Sequence, residues 1–164
     1  MLKIYKIIKR RLLTLIALMK IEDYKTRPFV NGLTIFNKYT KLGLNCNFNG
    51  FRVYGNGQVI IGDNFHSGKG CYIVTQHHNY EGTKIPYDDT YTFKRVEIED
   101  NVWFGMNVSV LSNCNIGEGA IIQAGAVVVS DIPKFAIAGG NPAKVFRYRD
   151  KEHYLELKDK KQFH

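Results

Sequence analysis

Two adjacent histidines, His77 and His78, lie in the polar stretch "VTQHHNYEG" at residues 74–82. An imidazole, whose ordinary pKa is about 6.5, exchanges a proton near neutral pH and also binds metal ions. The pair therefore indicates either general-base catalysis or a metal site. The structural elements that position this stretch decide between the two.

A six-residue repeat begins at residue 98. Its first positions are all apolar: Ile98, Phe104, Val110, Ile116, Ile122 and Val128. Its fifth positions are apolar and mostly small or β-branched: Val102, Val108, Cys114, Ala120, Ala126 and Ile132. A period of six fits neither an α-helix nor a simple alternating strand. It predicts a coil with three flat sides, in which one side chain per side points inward and the fifth residue fills the corner.

The same register is present upstream, from Ile61 to Ile73, and then breaks. Ile98 follows Ile73 by 25 residues, one more than four hexads, and the segment between them is polar and rich in tyrosine. This predicts a loop extruded from the coil at about residues 74–97, carrying both histidines. Long loops on a rigid repeat scaffold are common sites of function.

Several segments, in this order, resemble the left-handed β-helix acyltransferases. They are the hexads, "IGDN" at 61–64, the histidine loop, "DNVWFG" at 101–106 and "AGGNPAKVFR" at 138–147. The resemblance covers residues 45–148 and is nearest to the galactoside/maltose and polysaccharide O-acetyltransferases. It implies an all-β solenoid, a single-stranded left-handed parallel β-helix. Residues 1–44 would form an N-terminal helix and lead-in, residues 45–137 the β-helix, and residues 138–164 a cap with a coenzyme-contacting tail and a short helix.

The resemblance also implies an activity. The expected assembly is a homotrimer that binds acetyl-CoA, with no metal, in a cleft between adjacent solenoids. In such proteins the catalytic histidine follows the Ile of the "IGDN"-type motif by seventeen residues, which gives His78 when counted from Ile61. His78 is therefore expected to be the general base that activates an acceptor hydroxyl, and a one-residue shift would assign this role to His77.

Further residues are assigned by the same resemblance. Those expected at the coenzyme are Trp103, Met106, Ala124, Val129, Ser130, Lys144 and Arg147. Val129 and Ser130 stand where relatives often carry Thr-Lys, so the phosphate contact that this Lys would make is not expected here. Asn49 and Tyr80 are expected at the acceptor. Trp103 has an alternative interpretation as an aromatic residue packed between subunits.

The acceptor expected from the resemblance is a sugar or a surface-polysaccharide intermediate, and the Tyr-rich loop suits stacking on sugar rings. Sugar or small-molecule N-acetyl transfer and serine O-acetyl transfer by the same fold stay open, as does a non-catalytic solenoid. A metal enzyme of the γ-carbonic anhydrase type needs three histidines, two of them five apart. No such spacing occurs among the five histidines of the chain.

The net charge of +8 belongs to the ends of the chain. Residues 21–143 hold ten basic and eleven acidic residues, without the basic stripe typical of nucleic-acid binding. Three unclustered cysteines fit a reducing compartment, and a cytoplasmic location is expected.

Residues 1–20 are expected to form a basic amphipathic helix. Its polar face carries Lys3, Lys6, Lys9 and Arg10, and its apolar face carries Ile4, Ile8, Leu12, Leu15, Ile16 and Met19. Such a helix either packs on the domain or a neighbouring subunit, or lies on the inner face of the cytoplasmic membrane.

Overall fold

The computed structural model describes residues 2–164, with side chains from residue 4 onward. Helix α1 spans Leu2–Leu18 and helix α2 spans Lys151–Asp159. The strands of this part of the chain are β1 (Asp23–Tyr24), β2 (Phe29–Gly32), β3 (Thr40–Leu42), β4 (Asn47–Tyr54), β5 (Val59–Ile61), β6 (His66–Val74), β7 (Gln76–His78), β8 (Tyr91–Phe93), β9 (Val96–Ile98), β10 (Trp103–Phe104), β11 (Ser109–Val110), β12 (Cys114–Ile116), β13 (Ile121–Ile122), β14 (Val127–Val128), β15 (Ala136–Gly139) and β16 (Lys144–Tyr148).

Parallel pairing stacks these strands into the three faces of a left-handed β-helix. Face 1 contains β1, β3, β5, β9 and β12. Face 2 contains β2, the first parts of β4 and β6, then β10, β13 and β15, and the antiparallel strand β16 closes it. Face 3 contains the second parts of β4 and β6, then β11 and β14. The turns between them form corner 1/2, corner 2/3 and corner 3/1.

The inward side chains fill the coil as the hexads predict. Every first and fifth hexad position from residue 98 to residue 132 is buried. The N-terminal half of the interior holds a cluster of phenylalanine rings, in which Phe65 lies 5.5 Å from Phe48 and 5.1 Å from Phe104 between ring centroids. The C-terminal half is filled by aliphatic and small residues, including Ala120 and Ala126. The β-helix predicted from the repeat is confirmed.

The coil begins before the boundary predicted at residue 45. Strand β3 pairs with β5 on face 1, and β2 pairs with β4 on face 2, so the segment before residue 45 already contributes to the coil. Leu42 and Ile61 occupy equivalent positions although they are 19 residues apart, one more than three hexads. That additional residue shifts the register, and it hides the first coils from a search for a period of six.

Asparagines in left-handed conformation form corner 1/2. Asn45, Asn64 and Asn101 have φ values of 51°, 56° and 60°, which asparagine tolerates better than most residues. The Asn45 amide donates to Asn64 (3.0 Å), and that of Asn64 donates to Asn101 (2.9 Å). The Asn101 amide then donates to the Tyr154 hydroxyl of α2 (2.7 Å). The ladder thus connects the coils to the predicted C-terminal helix, which is present.

The predicted N-terminal helix is present as α1, but its apolar face does not pack on the domain. Thr14 and Ala17 are buried, and Leu13 packs against the core from the same side. Met1 and the side chains of Leu2 and Lys3 lie outside the described residues. Within residues 2–164, no helix combines the length and apolar character that crossing a membrane requires.

Candidate active site

The predicted histidine loop leaves the coil at corner 3/1 as a hairpin. Strands β7 and β8 pair antiparallel, with His77 opposite Thr92 and His78 opposite Tyr91. Thr75, fully buried, anchors the hairpin to the coil. Its hydroxyl donates to the Tyr54 carbonyl (2.8 Å) and accepts from the Gly57 N–H (3.0 Å). The loop is therefore held at its base by buried hydrogen bonds.

Asp88 organises the far end of the loop. Its carboxylate accepts from the Thr90 hydroxyl (2.5 Å), the Thr90 N–H (2.9 Å) and the Thr83 N–H (3.1 Å). These bonds, the one from the Thr90 hydroxyl first, hold the pKa of the Asp88 carboxyl below its ordinary value. The side chain is committed to the loop's own backbone, and its part in the site is to shape the loop.

The loop encloses a cavity of about 630 Å³ against the coil. It is lined by Gly55, Gln76, His77, His78, Tyr80, Tyr87, Tyr91, Thr92, Lys94 and Leu111. The His78 ring is exposed and stacks on Tyr87, with 3.9 Å between centroids and 22° between planes. Both predicted histidines and the predicted acceptor residue Tyr80 thus line one cavity.

The two histidines differ in their surroundings. Both line the cavity, but His77 is partly buried and His78 is exposed. The Nε2 atom of His77 is buried and has no hydrogen-bond partner among the described residues. Buried polar atoms nearly always have a partner, so this nitrogen is an unusual feature of the cavity wall. The sequence does not reveal this difference.

The cysteines are built into the coil. Burial raises the pKa of the Cys114 thiol to about 12 and also raises that of Cys71. Since the thiolate is the reactive form, neither side chain is suited to nucleophilic attack at neutral pH. Cys46, Cys71 and Cys114 are all buried and free.

Corner 2/3 brings together three other predicted residues. Met106 and Ala124 occupy this corner in consecutive coils, where the Gly125 N–H donates to the Met106 carbonyl (2.8 Å). Asn49 lies at the same corner, nearer the N-terminus. Its side chain is already engaged in the coil, because it donates to the Ser67 carbonyl (2.7 Å) and accepts from Asn31 (3.2 Å).

A second cavity, of about 300 Å³, opens beside Asn49. It is lined by Gly32, Leu33, Asn49, Gly50, Arg52, Tyr54, Lys69, Gly70, Cys71 and Tyr72. Arg52 and Lys69 form no ion pair within the described part of the chain. Tyr54 lines this cavity and its neighbour Gly55 lines the histidine cavity, so adjacent residues contribute to the walls of the two cavities. The sequence analysis did not single out this cationic and aromatic surface.

Trp103 and Arg147 lie in one row across face 2. Trp103 pairs with Ile121, Ile121 with Ile137, and Ile137 with Arg147. Three strand spacings separate the two backbones by about 14 Å. Lys144 lies on the same final strand, and the side chains of Trp103, Lys144 and Arg147 are exposed. The row offers an aromatic surface at one end and two cations at the other.

The predicted site residues therefore form two clusters in one chain. The histidine cluster at corner 3/1 comprises His77, His78, Tyr80, and Val129 with Ser130 one coil below Leu111. The second cluster, which we call the corner 2/3 cluster, comprises Asn49, Met106 and Ala124 at that corner and Trp103, Lys144 and Arg147 on the adjoining face 2. Face 3 separates the clusters within the protomer. Among residues 2–164, no group of three or more His, Cys, Asp or Glu side chains is arranged to hold a metal ion.

Comparison with known proteins agrees with this geometry. Residues 95–130 match the family model described as bacterial transferase hexapeptide (six repeats). A Schizosaccharomyces pombe protein named "Putative acetyltransferase C18B11.09c" is 53% identical over 57 residues, 35% of this chain and 28% of that protein. A Saccharomyces cerevisiae relative with a similar name is 52% identical over 52 residues, 32% of this chain and 26% of its own. The match thus spans less than a third of these relatives.

Solved structures extend the similarity to nearly the whole fold. The hexapeptide-repeat acetyltransferase VCA0836 of Vibrio cholerae superposes with a TM-score of 0.66 at 23% identity, over 89% of this chain and 91% of that one. A galactoside acetyltransferase solved with coenzyme A gives 0.70 at 21% identity, over 91% and 84%. Residues 95–130 thus match the bacterial transferase hexapeptide model, and the whole chain shares the left-handed β-helix fold of these solved structures.

Proposed function

We propose that the protein is an acetyl-CoA-dependent O-acetyltransferase that acts on a sugar or a surface-polysaccharide intermediate. The observation that carries this proposal is the cavity of about 630 Å³ in which an extruded loop places two histidines beside tyrosines. The family of the repeat supports it, as does the V. cholerae acetyltransferase, which has been solved with acetyl-CoA.

His78 is the proposed general base, because its ring is exposed in the cavity. The imidazole takes the proton of the acceptor hydroxyl while the oxygen attacks the thioester carbonyl carbon. The carbon–sulfur bond of the tetrahedral intermediate then breaks, and the leaving thiolate takes the proton from the imidazolium. Backbone N–H groups are the natural donors to the oxyanion. The transfer is direct, which agrees with the buried, unreactive cysteines.

Arg147 and Lys144 are the proposed partners of the coenzyme phosphates, since both are exposed cations on the last strand of face 2. Trp103, Met106 and Ala124 would line the path of the coenzyme towards the histidines. Because the histidine cluster and the corner 2/3 cluster lie on different corners, we propose that the site is completed between chains. In a homotrimer, the loop of one protomer would face corner 2/3 of the next.

The acceptor is proposed to enter along face 3. Tyr54 and Tyr72 lie there with 6.0 Å between ring centroids, and Tyr80 lines the histidine cavity beyond them. Aromatic rings stack well on the apolar faces of sugars. Asn49 would contribute the second lone pair of its carbonyl oxygen, because that oxygen already accepts from Asn31 and the amide nitrogen donates to the Ser67 carbonyl. The location that we propose for this chemistry is the cytoplasmic side of the membrane.

The test is release of free CoA thiol from acetyl-CoA with a panel of mono- and oligosaccharides. Removing a general base should lower acceptor-dependent release by about 10²–10⁴-fold. We expect this loss for His78→Ala, with binding of acetyl-CoA retained in calorimetry. His153→Ala, at an exposed position on α2, is the matched control and should retain full activity.

The outcomes separate the candidates. Loss confined to His77→Ala would keep the function and assign the base to the buried Nε2 of that residue. Release with amine acceptors alone would replace O-transfer by N-transfer. No release with any acceptor, together with no binding of acetyl-CoA, would overturn the proposed function.

A further inference from the structure

Helix α1 is fixed to the solenoid by one side only. The side chains of Thr14 and Ala17 are buried, Leu13 packs against the core, and the Arg10 guanidinium lies 5.5 Å from the centre of the Phe29 ring on β2. At 100° per residue these positions share one side of the helix. The orientation of α1 relative to the coil is therefore set by small and polar residues.

The opposite side of α1 is an apolar stripe. We define it by five residues whose side chains are 56–77% exposed: Ile4, Ile8, Leu12, Leu15 and Met19. Their spacings of three and four residues align them along the helix, pointing directly away from the solenoid. Large apolar side chains are concentrated here on a surface that packs against nothing in the described part of the chain. Isolated exposed hydrophobic residues are ordinary, but a continuous stripe indicates an interaction surface.

Cations border this stripe on both edges. On the helical wheel Arg11 lies at one edge and Lys9 at the other, and Lys20 follows just beyond the end of the helix at Leu18. The first twenty residues contain six Lys or Arg and no Asp or Glu. No residue between positions 4 and 20 takes part in a salt bridge within the described structure. The surface thus carries apolar side chains that can insert into an apolar phase and cations that attract negative charge.

We propose that α1 lies in the plane of an anionic lipid membrane, with the apolar stripe in the boundary between headgroups and acyl chains. Apolar residues bordered by Lys and Arg are the signature of such interfacial helices. A second copy of the chain is a poorer partner, because pairing of two α1 helices would bring like charges together. The body is near-neutral, with ten basic and eleven acidic residues at 21–143, so the largest excess of positive charge lies at residues 1–20.

The proposal is tested by sedimentation of the full chain with vesicles of phosphatidylcholine, with and without phosphatidylglycerol. Binding is expected only with the anionic lipid, and it should weaken as salt is raised. The double variant Ile8→Gln/Leu12→Gln, at exposed positions, should weaken binding by at least about tenfold through loss of apolar burial. Lys9→Gln/Arg11→Gln should remove the preference for anionic lipid. Ile85→Gln, at a fully exposed apolar position of the loop, is the matched control.

Analytical ultracentrifugation of the same variants tests the alternative partner of the stripe, a second copy of the chain. Equal vesicle binding by Ile8→Gln/Leu12→Gln and the unmodified chain would overturn the proposal. So would absence of vesicle binding together with a change of oligomeric state in that variant, which would assign the stripe to a contact between copies. The readout is independent of acetyl transfer, so a failure of the proposed function leaves it unaffected.

Discussion

The His78 ring lies against Tyr87 in a near-parallel stack, with 3.9 Å between centroids, and Tyr91 packs at 4.8 Å on the same ring. No hydrogen bond from another side chain or the backbone orients this imidazole among the described residues. Aromatic contacts therefore determine its position in the free protein. Such contacts contribute about 0.5–1.5 kcal/mol beyond area burial.

Replacing Tyr87 should accordingly affect turnover more than binding. We expect Tyr87→Ala to lower kcat about three- to tenfold, because the unstacked imidazole samples unproductive orientations. The KM for acetyl-CoA should change little. Tyr87→Phe keeps the stack and is expected to behave like the unmodified protein in steady-state assays. Equal losses in both variants would show that the hydroxyl, and not the stack, matters.

A site completed between chains predicts complementation. His78→Ala and Trp103→Ala should each be inactive or strongly impaired alone. When the two chains are co-expressed, assembly at random should restore about a quarter of the wild-type activity, because half of the loops and half of the adjacent corners are intact. A site contained in one protomer would give only the residual activity of the two variants. Purification through two different tags isolates the mixed trimers, in which one site of three is intact, so these should have about a third of the wild-type activity.

The cations of β16 should act on the coenzyme phosphates specifically. Arg147→Ala is expected to raise the KM for acetyl-CoA about tenfold to a hundredfold through loss of charge-assisted hydrogen bonds. The KM for acetyl-pantetheine, which lacks those phosphates, should be unchanged. Lys151→Ala, exposed at the start of α2, is the control. An equal effect on both thioesters would contradict a phosphate contact.

We expect Thr75 to anchor the histidine loop to the coil. Thr75→Val preserves shape but leaves the buried Gly57 N–H without its acceptor. We expect a loss of about 1–3 kcal/mol in the free energy of unfolding, measured with urea, together with reduced turnover. Thr92→Val, at an exposed position of the same hairpin, should change stability by less than about 0.5 kcal/mol. Unchanged stability of Thr75→Val would show that the base of the hairpin is held elsewhere.

Glu118 should make the C-terminal cap sensitive to acid. Partial burial opposes its ionisation, but hydrogen bonds from Lys158 and from Tyr154 (3.0 Å) outweigh this and keep its pKa below the ordinary value. A carboxyl with a lowered folded-state pKa stabilises the fold above its unfolded pKa and loses that contribution as the pH falls.

The melting temperature should consequently fall between about pH 5 and pH 3. This fall should be shallower in Glu118→Gln, which is less stable at neutral pH. Glu152→Gln, exposed in the first turn of α2, should follow the unmodified profile. Identical profiles for Glu118→Gln and the unmodified protein would contradict the network as a source of stability.

The fold was largely predictable because the hexads describe a local geometric requirement. Ile116, Ile122 and Val128 recur at six-residue intervals since each side of the triangle admits one inward side chain. The part of the coil before residue 45 was missed for a related reason, since one additional residue between Leu42 and Ile61 breaks the period without breaking the stacking. Strand pairing is set by contacts between coils, and these do not depend on equal sequence spacing.

The candidate site was less predictable. The loop and its histidines stand out in the sequence, but the buried Nε2 of His77 and the exposed ring of His78 depend on how the hairpin folds. The cations Arg52 and Lys69, which form no ion pair among residues 2–164, belong to different coils and carry no shared motif. The outward orientation of the apolar stripe on α1 could not be predicted from the sequence either. A helical wheel shows which residues share a side of the helix, but not which side packs against the solenoid.

The coils on either side of the histidine loop pair as though the loop were absent. Val59 and Ile61 stack directly on Val96 and Ile98, and Thr75 closes the gap at corner 3/1. The histidine loop is therefore structurally independent of the coil: its length and composition can change without a compensating change in the core. Under the proposed function, exchange of this single surface segment would change acceptor preference while leaving the stacked interior unchanged.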